Sequence, residues 1–266
     1  MLAGPDVLIC SGLDPSGGAG FLADVRVVAG LGCRPVGVVT ALTVQNTTGV
    51  IDAEPVAADR VREQLEFLLS DVEVRAVKIG MLGATAVAEA IAQALALTAA
   101  PVVWDPVLGP SIAAPGAAPV GGAPFLGGGL DRAVAALAPH VALVTPNAGE
   151  LAALTGMPVG SLAEARAAGL ALAARLDTAV LVKGGHLGGE ASVDLLCRGG
   201  AVEQLAGPRV PGGEHVHGTG CALSSAVAAL LARGVELAAA CREAKALVAE
   251  RIADPARPGR GAASVL

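Results

Sequence analysis

The stretch Val7-Leu8-Ile9-Cys10-Ser11-Gly12-Leu13-Asp14-Pro15-Ser16-Gly17-Gly18-Ala19-Gly20 decides the architecture. A short apolar run with β-branched residues enters a glycine-rich loop, and an amphipathic segment over 20–31 leaves it. This reads as a strand, a turn that lets backbone approach a neighbour, and a helix. The unit recurs downstream. Apolar runs at 36–41, 76–80, 102–106, 142–146 and 180–183 are separated by Ala-rich segments at 58–69, 85–97, 131–137, 148–155 and 162–174. Two more helices are expected at 219–232 and 236–252. Alternation of this kind predicts an α/β chain whose parallel strands are joined by crossover helices. With no fixed-period repeat and no linker, residues 1–266 read as one domain around one continuous sheet.

Two segments stand apart. Residues 108–129 are rich in Gly, Pro and Ala, carry no charge and show no periodicity, so they are expected to be a long loop, either a plain surface connection or a cover for an active site. The tail 254–266 is expected to be a short closing strand or a frayed end.

Composition narrows the partners. A chain of 266 residues, 53% apolar, buries a large core, and none of its apolar runs reaches the roughly 18 residues of a membrane-spanning helix. No membrane partner is expected. The first residues lack the cationic region of a secretory signal, and Cys10, Cys33, Cys197, Cys221 and Cys241 show neither a disulfide framework nor metal spacing, so a cytoplasmic protein with free thiols is expected. A charge of −6, three Phe, one Trp and no Tyr argue against nucleic acid. Such a chain must hold any anion with local devices: backbone amides, a well-placed Lys or a metal. The apolar surplus also makes a homodimer the expected assembly.

The motifs supply those devices. In His217-Gly218-Thr219-Gly220-Cys221, two glycines and a Thr stand where a small-residue helix begins, so amides of Gly218, Thr219, Gly220 and Cys221 are exposed at the positive end of a helix dipole. Charge developing on a transferring phosphoryl group is what such donors stabilise. Cys221 lies in the first turn, where the same potential is expected to lower its pKa and make it a base; the plainer role is a small buried core residue. Asn147 and Glu150, three apart after a strand, are placed to hold a magnesium ion's water shell, to form a helix capping box, or both. Lys183 ends a strand beside Gly184 and Gly185, as a phosphate contact or as an exposed turn lysine, and His186 beside it reads as a turn or core residue. Asp105 puts a carboxylate at another strand end, suited to metal or phosphate. Gln45 offers a donor and an acceptor to a heterocycle edge, and the thioether of Met81 suits a flat ring. In the first loop, Gly12 and Asp24 are candidate ligand contacts; a tight turn and a solvated helix charge are the alternatives.

Taken in order, residues 12–20 with Ala23-Asp24, Thr40-Ala41-Leu42-Thr43-Val44-Gln45-Asn46-Thr47, Lys78-Ile79-Gly80-Met81-Leu82, Asp105-Pro106-Val107, Thr145-Pro146-Asn147 with Glu150, Lys183-Gly184-Gly185-His186 and His217-Gly218-Thr219-Gly220-Cys221 closely resemble the hydroxymethylpyrimidine/phosphomethylpyrimidine kinases of thiamine biosynthesis. The resemblance implies a three-layer α/β/α fold of the ribokinase kind with a mostly parallel sheet, and ATP with Mg2+ as co-substrate. It implies that 4-amino-5-hydroxymethyl-2-methylpyrimidine and its monophosphate are phosphorylated, with Cys221 as base. Gln45 would read the pyrimidine, Met81 and Val107 would line its pocket, Lys183, Asn147 and Thr219 would meet ATP, and Asn147, Glu150 and Asp105 would act around magnesium. Where such kinases carry a short Ser-Gly loop after Asp-Pro-Val, this chain has the segment 108–129, and 213–216 lacks the Asn-Thr that often precedes His-Gly-Thr-Gly-Cys. Pyridoxal kinase, which shares the Gly-Thr-Gly-Cys and Asn-x-x-Glu elements, and a weakened pyrimidine-binding regulator are the rival readings.

Overall fold

The computed structural model describes residues 4–109, 126, 129–185 and 187–265. In chain order its strands are β1 (Asp6–Leu13), β2 (Arg34–Asn46), β3 (Gly49–Pro55), β4 (Val74–Ile79), β5 (Val102–Trp104), β6 (Val141–Val144), β7 (Ala179–Val182), β8 (Ala191–Arg198) and β9 (Ala201–Pro208). The helices are α1 (Gly20–Gly30), α2 (Ala58–Leu69), α3 (Thr85–Leu95), α4 (Leu130–Leu137), α5 (Ala148–Thr155), α6 (Leu162–Leu176), α7 (Thr219–Ala232) and α8 (Leu237–Ala253). Among the described residues the strands form one sheet ordered β3-β2-β1-β4-β5-β6-β7-β8-β9. The block from β2 to β7 is parallel, and β3, β8 and β9 pair antiparallel at the two edges.

Period-two alternation splits the side chains of each central strand between two cores. Leu8 and Cys10 of β1, Val102 and Trp104 of β5 and Val180 and Val182 of β7 join the core under α2 to α6. Their neighbours Val7, Ile9, Val103 and Leu181 join the one under α1, α7 and α8. Helix α7 is buried along most of its length, which explains its run of Ala, Ser and Leu. Helices on both faces make the three layers. The expected strands and helices are all present, some a few residues longer or shorter.

The edges were not expected. β8 and β9 form a hairpin turned by Gly199 and Gly200, both at positive φ (56° and 79°), the conformation a two-residue hairpin turn asks of glycine. The tail neither frays nor extends the sheet. It runs beside His217, whose N–H donates to Ala263 O (2.8 Å), while Ala262 N–H donates to Thr47 O (2.8 Å). Of the long loop expected at 108–129, residues 110–125, 127 and 128 lie outside the described residues, as does His186.

Candidate active site

Parallel strands deliver their carboxyl ends to one edge of the sheet, and most of the residues singled out above stand there. Gly12, Gln45, Met81, Asp105, Val107, Asn147, Glu150, Lys183, Gly218, Thr219, Gly220 and Cys221 all line one cleft of about 1450 Å³. Asp24 does not: it is wholly buried beneath the floor.

The start of α7 forms one wall. Gly218 is its N-cap, at φ 82°, and no side chain caps the helix. A Cβ on Gly218 would stand 2.0 Å from Gly18 O, so only glycine fits where the two loops cross. The first intrahelical bond runs from Ala222 N–H to Gly218 O, which leaves the amides of Thr219, Gly220 and Cys221 without intrahelical partners. All three residues line the cleft.

Lys183 reaches this wall from the end of β7. Its Nζ donates to Asp105 Oδ1 (2.6 Å) and lies 3.5 Å from Glu150 Oε2. Asp105 also accepts from Thr145 Oγ1 and Ser224 Oγ, both at 3.3 Å. A Cβ on Gly220 would meet Lys183 Nζ at 3.1 Å, so the missing side chain keeps the ammonium beside the helix end. Burial works against the charge on Lys183, but Asp105 and then Glu150 hold its pKa above the ordinary lysine range. Glu150 is pushed up by burial and by Asp105, against the pull of Lys183.

Asn147 and Glu150 form the capping box of α5. Asn147 Oδ1 accepts from Glu150 N–H (2.9 Å), and Glu150 Oε2 accepts from Asn147 N–H (2.7 Å). The Asn147 oxygen expected near magnesium is thus also the cap of the helix.

Under the floor lies a second ion pair. Lys78 Nζ donates to Asp24 Oδ2 at 2.6 Å, both side chains fully buried, and Asp24 also accepts from Ser11 Oγ (2.6 Å) and Ser225 Oγ (2.7 Å). Burial opposes the Lys78 charge; Asp24 chiefly, then Cys221 and Asp105, keep its pKa raised. Asp24 is thus the counter-ion of a lysine beneath the reacting groups. Sequence reasoning missed Lys78, although alternation along β4 puts it on the face that Ala76 turns toward α1 and α7.

Cys221 corrects another expectation. Its thiol is pushed up to about 11, not down, because burial outweighs Lys78 and a hydrogen bond from the Gly20 amide, while Asp24 and Asp105 push in the same direction as burial. The helix N-terminus stands within a protein shell already holding two carboxylates.

Gln45 and Met81 also line the cleft. Met81 Sδ would meet a Cβ on Gly12 at 2.9 Å, so that glycine makes room for the thioether. Gln45 stands between Thr43 and His217, 3.2 Å from each. His217 Nε2 is also 3.2 Å from Asp14 Oδ2. Burial would raise the Asp14 pKa, yet hydrogen bonds from His217 and Ser16 hold it below the usual carboxylate value. Neither Asp14 nor His217 was assigned a task from the sequence; the signal was a His beside the glycine motif.

Comparison with known proteins agrees with this geometry. The profile of the phosphomethylpyrimidine kinase family matches residues 14–266. A hydroxymethylpyrimidine/phosphomethylpyrimidine kinase of Streptomyces coelicolor is 40% identical over 244 residues, 92% of this chain and 87% of that protein. Among solved structures, the pyridoxal kinase of Staphylococcus aureus in complex with ADP superposes with a TM-score of 0.86 at 27% identity, over 99% of this chain and 93% of that one. The phosphomethylpyrimidine kinase of Clostridium difficile gives 0.76 at 30% identity, over 94% and 99%.

Proposed function

We propose, from the premise that this chain belongs to the phosphomethylpyrimidine kinase family, that it transfers the γ-phosphoryl group of ATP to 4-amino-5-hydroxymethyl-2-methylpyrimidine and then to its monophosphate. The protein is a phosphotransferase with the ribokinase-like fold of its relatives. One observation carries the choice of chemistry. A single cleft is lined by an uncapped helix N-terminus, a lysine, the residues Gln45, Met81 and Val107, and the Cys221 thiol.

In this reading the ring lies between Met81 and Val107, with its nitrogen and amino group against the Gln45 amide. Gly12 lets Met81 stand close beneath the ring, and Asp24 acts from below by holding Lys78. The hydroxymethyl group meets Cys221, which takes its proton as the oxygen attacks phosphorus. Charge on the transferring group is met by the amides of Gly218 to Cys221 and by Lys183. Thr219 and the Asn147 side-chain NH2 contact ATP. Magnesium, when bound with the nucleotide, neutralises phosphate charge. Among the described residues no cluster of three or more His, Cys, Asp or Glu could cage a metal. The carboxylate of Glu150 suits a magnesium ion held through its waters, whereas Asp105 is occupied by Lys183, Thr145 and Ser224.

Free thiols at all five cysteines and the need for ATP fit a cytoplasmic enzyme acting as one domain. Among the described residues no helix is long and apolar enough to cross a membrane. Leu42, Val44 and Ile51, exposed on the β2–β3 hairpin, suit contact with a second copy.

The test is a coupled ATP assay on the pyrimidine alcohol, its monophosphate and pyridoxal, each with and without magnesium. Magnesium-dependent turnover of both pyrimidines is expected. The higher TM-score with a pyridoxal kinase favours one second reading, and turnover of pyridoxal alone would establish it in place of ours.

A further inference from the structure

At the ring end of the cleft the contacts constrain where the hydrogens of Thr43, Gln45 and His217 Nε2 can go. Thr43 Oγ1 lies 2.7 Å from Leu13 O, which can only accept, so the hydroxyl proton is committed there. His217 Nε2 lies 3.2 Å from Asp14 Oδ2. A carboxylate also only accepts, so Nε2 carries a hydrogen. Between these two groups stands the Gln45 amide, with Oε1 3.2 Å from Thr43 Oγ1 and Nε2 3.2 Å from His217 Nε2. In that orientation two donors meet at His217, and two oxygens meet at Thr43 with no proton to share. A half-turn of the amide exchanges its oxygen and nitrogen and satisfies both contacts: Nε2–H of His217 is shared between Asp14 and Gln45 Oε1, and Gln45 Nε2 donates to Thr43. The other imidazole tautomer resolves only one conflict, and it turns a ring lone pair toward the Asp14 carboxylate.

We infer that Asp14, acting through His217, and Thr43 lock the Gln45 amide with its oxygen toward His217 and its nitrogen toward Thr43, and that this fixed order selects the ring. The locked amide keeps one N–H and one oxygen lone pair for a ligand. They match a ring nitrogen beside an amino group and oppose a ring N–H beside a carbonyl. His217, Asp14 and Thr43 are therefore positioning residues for specificity. The backbone of His217 is held from behind by Ala263 and Val265, which fixes the imidazole's origin.

The inference takes its substrate from the kinase reading, so the test has one arm independent of activity. Long-range 15N NMR of the histidine-labelled protein should show His217 Nε2 as a protonated nitrogen; a bare Nε2 with the hydrogen on Nδ1 would overturn the lock whatever the enzyme does. In the kinetic arm, kcat/KM is compared for the 4-amino pyrimidine and its 4-oxo analogue. In His217→Leu the amide is free to turn, and the preference for the amino ring should fall at least tenfold, with the loss in KM rather than kcat. His217→Gln, which can place an N–H near the position of Nε2, should restore most of it. An unchanged amino-to-oxo ratio in His217→Leu would sink the inference and leave the kinase reading standing. If the native enzyme turns over neither pyrimidine, the kinase reading fails, and the NMR arm still decides the lock.

Discussion

The two ends of the cleft solve different problems with different physics. At the phosphate end the protein stores formal charge: Lys183 sits between Asp105 and Glu150, and Lys78 on Asp24. Each lysine is held charged by carboxylates rather than by water, so little has to reorganise when a phosphate arrives. At the other end what is stored is orientation, in a chain from Asp14 through His217 and Gln45 to Thr43. Charge falls off slowly and tolerates small displacements; a donor–acceptor order does not. In the proposed reaction the first end would govern how fast phosphate moves and the second which ring receives it.

The largest expected break between the ends is at the group that joins them. Cys221→Ala should lower turnover about 10²- to 10⁴-fold, the range for losing a general base, while pyrimidine affinity stays within about tenfold, because a base acts mainly in the transition state. Single-turnover kinetics beside ligand titration checks both halves. Unchanged turnover would remove the thiol from the mechanism.

Next comes Lys183→Met, which should raise the KM for ATP and leave that for the pyrimidine nearly unmoved. It strands Asp105 and Glu150, and losing one partner of a buried pair costs about 3–5 kcal/mol. The pH dependence has a definite sign. The pKa of Glu150 is already raised, so its protonated form is favoured in the folded state. Its contribution is fully present below the unfolded carboxylate pKa and is lost as pH rises through the folded value. Without Lys183 that value climbs further, so the variant's deficit in Tm should be larger at pH 8 than at pH 5. A deficit independent of pH would mean that Glu150 does not depend on Lys183.

A smaller effect separates the thiol from the carboxylates around it. With the Cys221 pKa near 11, kcat/KM for the pyrimidine should rise about tenfold per pH unit between pH 7 and 9, since that ratio reports the free enzyme. Cys221→Asp should move the onset into the acid range. A flat profile in the native enzyme would show that another group takes the proton.

How much of this was legible beforehand divides along the same line. Val7 to Cys10 and the other central runs are buried on both faces, so their sequence is a continuous apolar signal, and they were found. β3 and β9 are the two edge strands and expose many residues, so their alternation is weak, while β8 lies between β7 and β9 with a buried middle; only Gly199-Gly200 marked the hairpin. In the site, Lys183, Gln45 and the Gly218–Cys221 turn could be read because strand ends and helix starts are local features. The Lys78–Asp24 pair and the contact between Asp14 and His217 join residues 54 and 203 positions apart, and no local pattern announces such a meeting. Reading Cys221 from its helix alone gave the wrong direction for its pKa for the same reason. Burial by the folded chain raises that thiol most, and the carboxylates of Asp24 on α1 and Asp105 at the end of β5 add to it.

The smallest expected effect tests whether a residue at the charged end can serve by orientation alone. Asn147 Oδ1 is bonded to Glu150 N–H, so Asn147→Ser, which keeps a capping oxygen, should change stability by only a few tenths of a kcal/mol, whereas Asn147→Ala should lose about 1 kcal/mol. If the oxygen serves only the helix, neither change alters the magnesium concentration for half-maximal rate by more than about twofold, while Glu150→Gln, which removes the charge, raises it severalfold. Thermal denaturation of the three variants beside magnesium titrations of the ATP assay gives both readouts. A raised magnesium requirement in Asn147→Ser at unchanged Tm would return Asn147 to the metal, and the contrast between charge at one end and orientation at the other would then lose its clearest exception.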